Sequence, residues 1–214
     1  RIVLQQALLN AGFDLRAPRS YEEDIQKLRN HSRQTLEALA HLAHIQVDST
    51  RVKIRRVCTE ALKQAAEEQS LLVVGEPGAG KSGALHDFVE ALHKGERDYV
   101  YFAVDRVAAQ SLGELRQELG LEHEFLDVLK NWPGQQPAFL VIDALDAARG
   151  DTTGKMIRDL IREVVEGQGR WRVVASIRKF DLRYVVELQQ LFAGAPTTEF
   201  IDPEFRKFGT SMSR

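Results

Sequence analysis

The sequence predicts an α/β chain: a three-layer core with a mainly parallel sheet of about five strands, preceded by an α-helical N-terminal segment. Two observations lead there. Beyond Ser70, short apolar and β-branched runs alternate with stretches of helical periodicity, the pattern of strands buried on both faces and joined by crossover helices. The first of these runs passes directly into a glycine-rich turn, and the residues after the turn recur at helical spacing.

In chain order, Ile2 to Leu9 predicts a short helix, ended by the breakers Gly12 and Pro18. From Tyr21 to about Val47, the residues Ile25, Leu28, Leu36, Leu39, Leu42 and Ile45 recur mostly at steps of three and four, which predicts one amphipathic helix. The polar stretch Asp48-Ser49-Thr50 breaks it. A second helix is expected through Val57, Ala61, Leu62, Ala65 and Ala66 to Gln69. The strands are expected at Leu71 to Val74, Tyr99 to Val104, Ala138 to Ile142, Arg172 to Ile177 and Thr198 to Ile201. This organisation divides the chain into a helical segment, 1–50, and a core, 51–214.

Composition narrows the function. Over 214 residues, 43% are hydrophobic and 28% charged, which suits a globular chain. The 29 basic and 31 acidic residues leave a net charge of -2, so nucleic acid is not indicated as a partner. No apolar run reaches the roughly 20 residues needed to cross a bilayer. With a single cysteine, Cys58, and no signal-peptide pattern, the expected location is cytoplasmic. The chain opens on Arg1 and closes on a polar stretch, so it is expected to be part of a longer protein.

The chemistry rests on Gly75-Glu76-Pro77-Gly78-Ala79-Gly80-Lys81-Ser82, followed by Gly83, a full match to the phosphate-binding P-loop pattern. Glycines let the backbone curl so that successive N–H groups face phosphate oxygens. Lys81 reaches the terminal phosphates, and the Ser82 hydroxyl can ligate Mg²⁺. Ala84, Leu85, Phe88, Val89 and Leu92 place the loop at the start of a helix, whose positive end favours an anion. Together these predict a P-loop NTPase core. A second metal-side acid is expected from an apolar strand ending in Asp, and Phe139-Leu-Val-Ile-Asp143 provides it.

Hydrolysis also needs a group that orients the attacking water. AAA-type ATPases usually carry a Glu directly after the metal-side Asp, where this chain has Ala144. The next acid, Asp146, is the candidate for that task. At the end of the fourth strand, Ser176 and Arg178 are expected near the ligand crevice, with Arg178 as a γ-phosphate sensor. Glu37, His41 and His44 fall at i, i+4 and i+7 of the predicted first helix, a one-face spacing with three candidate metal ligands.

On Gly75 to Ser82, Phe139 to Asp146 and Ser176-Ile-Arg178, the chain resembles the STAND class of signal-transducing P-loop ATPases, which includes the NACHT proteins, over about residues 50 to 201. The resemblance implies an ATP- and Mg²⁺-dependent switch of bacterial signalling or antiviral defence, with ATP and ADP as its ligands, that oligomerises when it senses a ligand. It assigns Lys81, Asp146 and Arg178 to catalysis and Ser82 and Asp143 to the metal. Such proteins usually have Glu after the second Asp, where Ala147 stands, so a nucleotide-dependent oligomerisation module without hydrolysis is the alternative. A small-molecule kinase would need an Arg-rich lid, a GTPase an Asn-Lys-x-Asp motif and an ABC-type ATPase a Ser-Gly-Gly signature; none is found in the sequence.

Overall fold

The computed structural model of the chain describes residues 20–47, 50–53, 56, 58–148, 152–167 and 169–193. The elements are α1 (Glu22–Ala38), β1 (His44–Val47), β2 (Thr50–Lys53), α2 (Cys58–Glu68), β3 (Leu71–Gly75), α3 (Lys81–Lys94), β4 (Tyr99–Ala103), α4 (Leu112–Glu118), α5 (Phe125–Asn131), β5 (Ala138–Asp143), α6 (Thr152–Glu166), β6 (Trp171–Arg178), α7 (Lys179–Leu182) and α8 (Val186–Leu191), with 3-10 turns at Ala40–Ala43, Val104–Arg106 and Leu145–Ala148. Among the described residues these form an α/β structure with a four-stranded, all-parallel sheet in the order β3-β6-β5-β4. The expected strand at Thr198 to Ile201 and the helix at Ile2 to Leu9 lie outside the described residues.

Every residue of β4 and β5 is buried, as their unbroken apolar runs require of a sheet covered on both sides. Alternation along the strands divides the core in two. On one face Tyr99, Tyr101, Phe139, Val141 and Val174 pack against Leu85, Phe88, Val89 and Leu92 of α3 and Ala66 of α2. On the other, Val100, Phe102, Leu140, Ile142, Val173 and Ala175 meet Leu115 of α4, Val128 of α5, Leu188 of α8 and the α6 stripe Ile157, Leu160, Ile161 and Val164.

Helix α1 contributes Ile25 and Leu28 to one cluster and Leu36 to the other. Its Ser32 hydroxyl donates to the Leu28 carbonyl at 2.7 Å and accepts the Tyr101 N–H at 3.1 Å. Edge strand β4 thus has one of its outward donors satisfied by a helix laid along it, which removes a template for unwanted strand pairing. No helix among the described residues is long and apolar enough to cross a membrane.

The first helix is shorter than its periodicity suggests. It stops at Ala38, and His44–Val47 instead pairs antiparallel with Thr50–Lys53, with Val47 opposite Thr50. The three-residue steps Leu39, Leu42, Ile45 imitate a continuing helix, but the β-branched Ile45 and Val47 alternate with His44 and Gln46 as strand residues do. Because the helix ends, Glu37, His41 and His44 share no helical face. The His41 and His44 rings instead contact the carbonyls of Ala38 and Ala40. No group of three metal-ligating side chains is present among the described residues.

Candidate functional site

The site is built at the carboxyl end of the parallel sheet, where strand ends and helix starts meet. Strand β3 ends at Gly75, the chain turns through Glu76 to Gly80, and α3 begins at Lys81. Gly78 and Gly80 hold φ of +77° and +82°. A side chain would be strained at either position, and at Gly78 the demand is purely conformational, since open space surrounds it. With Gly80 at its N-cap, α3 receives no side-chain cap, so the N–H groups of its first turn point outward without intrahelical partners. That is an anion-binding arrangement. Lys81 Nζ donates to the carbonyls of Gly75 and Glu76 at 3.0 Å each, folding its ammonium back over the loop.

Asp143, at the end of β5, is 3% exposed. The Ser176 hydroxyl of β6 donates to its Oδ1 at 2.5 Å, and the Ser82 hydroxyl of α3 also hydrogen-bonds its carboxylate. Burial raises the Asp143 pKa above its usual 3.8, against the bonds from Ser176, Ser82 and the Ala144 N–H, and the charge of Asp105 adds to the rise.

Asp143→Asn is therefore expected to stabilise the chain in metal-free buffer at neutral pH. The folded carboxyl binds its proton more tightly than the unfolded one, so stability falls as pH rises from 3.8 through the higher folded value. Below 3.8 both states are protonated and the difference disappears. Denaturant titrations of parent and variant at neutral pH and below 3.8 check this; a parent as stable as the variant at neutral pH contradicts it.

Immediately after Asp143, Ala144 takes φ +60°, a left-handed conformation uncommon for a residue with a side chain. Two bonds hold it there: its N–H donates to Ser176 Oγ at 2.9 Å, and its carbonyl accepts the Ala147 N–H at 2.8 Å. The resulting 3-10 turn, Leu145–Ala148, carries Asp146 back to Arg178, whose Nε lies 2.6 Å from Asp146 Oδ2. In the sheet register Arg178 is level with Gly75, where the loop starts. The sequence points to Asp146 and Arg178 at this edge separately; their pairing with each other is legible only in the structure.

Arg56 is a second residue that sequence reasoning misses. It stands in a basic stretch with Arg51, Lys53 and Arg55, which resembles a solvated surface. In the structure its guanidinium donates to Asp87 Oδ2 of α3 and to the Leu42 carbonyl, both at 2.8 Å. A Cβ on residue 83 would overlap that guanidinium, which explains a glycine at this point of α3.

No protein-family model matches the chain, and no curated protein matches it. Among solved structures, the chain is similar to that of Saccharomyces cerevisiae RIF2, with a TM-score of 0.44 and 11% sequence identity over 84% of this chain. The matched part spans 63% of that chain.

Proposed function

We propose that this chain is a Mg-ATP-binding, slowly hydrolysing switch module of P-loop NTPase type, acting within a larger signalling or antiviral-defence protein of the STAND kind. One observation carries the reading. The uncapped start of α3, the Lys81 ammonium, the Ser82 hydroxyl and the Asp143 carboxylate converge at one sheet edge, each with the chemistry a phosphate–metal site requires. These residues fit the group they are proposed to hold. The backbone from Gly75 to Gly83 would cradle phosphate oxygens, Lys81 would turn from its carbonyl tethers to the terminal phosphates, and Ser82 with Asp143 would hold Mg²⁺. When bound, that ion supplies charge neutralisation at the phosphates.

Within this reading Arg178 is the γ-phosphate sensor and Asp146 its resting counter-ion. A γ-phosphate competes with Asp146 for the guanidinium, because both are anions that accept its fork of N–H donors. ATP would thus draw Arg178 away from the turn Leu145–Ala148, and ADP would leave the pair closed. Any water-orienting role for Asp146 requires that opening. The non-hydrolysing alternative draws on the same place: Ala144 and Ala147 offer no acid, and Asp146 is engaged by Arg178.

Binding is tested by thermal melting with ATP, ADP and GTP, each with and without Mg²⁺. At ligand 100-fold above Kd the stabilisation is about 2.7 kcal/mol, a rise of about 5–10 °C for a chain of this size. The expected order is Mg-ATP above metal-free ATP. If millimolar Mg-ATP leaves the melting temperature unmoved, the proposal fails.

A further inference from the structure

Asp105 belongs to none of the motifs above, yet the topology brings it to the same sheet edge. It lies in the 3-10 turn Val104–Arg106, just past Ala103, and Ala103 is the register partner of Asp143 in the β4–β5 pair. Its carboxylate is exposed, and no hydrogen bond or ion pair to it is present among the described residues. Beneath it is Tyr101 of β4, wholly buried, on the same sheet face as Val141 and Ala103, with a hydroxyl that has no hydrogen-bond partner. Burial raises the Tyr101 pKa far above its usual value, and the charges of Asp143 and Asp105 add to the rise. A buried donor left unmade is costly.

Resting on the P-loop reading, we propose that Asp105, from the strand next to the metal-side acid, orients and deprotonates the water that attacks the γ-phosphate. The Asp146 side chain is 5% exposed and tied to Arg178, whereas Asp105 is exposed. In the step, a bond forms between the water oxygen and the γ-phosphorus. The bond from that phosphorus to the β,γ-bridging oxygen breaks, ADP leaves with its electron pair, and the water proton passes to the Asp105 carboxylate.

The test compares the parent, Asp105→Asn, Asp105→Glu and Asp146→Asn. Mg-ATP and Mg-ADP affinities are measured first, then single-turnover phosphate release, then trapping of ADP with aluminium fluoride as a mimic of the in-line transition state. Asp105→Asn should keep both affinities within about twofold and the parent's melting temperature, while release falls by about a hundredfold or more. Trapping should weaken in parallel, Asp105→Glu should recover part of both, and Asp146→Asn should lose far less. Asp105→Asn release within threefold of the parent overturns the inference, as does a parent that binds Mg-ATP without measurable turnover. Both results leave the binding proposal standing. Failure of the parent to bind Mg-ATP is seen at the first measurement and removes both.

Discussion

Lys81→Ala is expected to weaken Mg-ATP binding by two orders of magnitude or more while the nucleotide-free chain keeps its fold. The ammonium group is the one positive charge of the loop, and a charge-assisted hydrogen bond contributes about 1.5–3 kcal/mol. Losing two such bonds to phosphate oxygens amounts to about 3–6 kcal/mol, and each 1.4 kcal/mol is tenfold in Kd. The structural role of Lys81 is smaller: it tethers Gly75 and Glu76 through two carbonyls, and its side chain is only partly buried. Alanine at the first position of α3 also suits the helix. Calorimetric titration beside thermal melting separates the two effects. Parent-like affinity in Lys81→Ala would remove the phosphate-site reading, because the uncapped helix start alone would then account for all of the binding.

The elements that the sequence locates well are those with a single physical interpretation. Strands β4 and β5 are apolar runs too short for core helices, β6 is built around Val173, Val174 and Ala175, and the structure places each within a residue or so of the expected bounds. The turn from β3 into α3 is legible because left-handed φ at Gly78 and Gly80 has a direct residue code. The hairpin of β1 and β2 is not legible, since three-residue apolar spacing and strand alternation overlap in the same short stretch. Of the site, the motif residues come from sequence, but Arg56, Asp105, Tyr101 and the Arg178–Asp146 pair do not. Arg56 depends on how the N-terminal segment packs on α3, and the others depend on which strand lies beside which; the order β3-β6-β5-β4 is not written in any local spacing.

That strand order also suggests why the acid of this site need not follow Asp143. Position 144 is occupied by a residue at φ +60°, pinned through its N–H to Ser176. A Glu there would direct its side chain from a strained turn whose geometry already serves Ser176 and Arg178. The neighbouring strand offers another route: β4 ends at Ala103, level with Asp143 at the end of β5, and Asp105 follows in the turn Val104–Arg106.

Arg56→Ala is expected to destabilise the chain by about 3 kcal/mol, a fall in melting temperature of about 6–12 °C. The Arg56 and Asp87 side chains are only 14% and 8% exposed, so truncating the arginine leaves a carboxylate out of water with no counter-ion. Asp87 Oδ1 already lacks a partner, and the Leu42 carbonyl would lose its guanidinium donor too. Arg56→Met combined with Asp87→Leu should recover most of the loss, because a desolvated pair exchanged for apolar packing costs little whereas half a pair costs a great deal. Urea titrations of parent, single and double variants measure this; a single variant within about 0.5 kcal/mol of the parent shows the pair to be incidental. Gly83→Ala approaches the same contact from the other side, since its methyl must displace the guanidinium. The stability of the N-terminal layer and the shape of the first turn of α3 therefore depend on one arginine, so a change in either should be felt by the other.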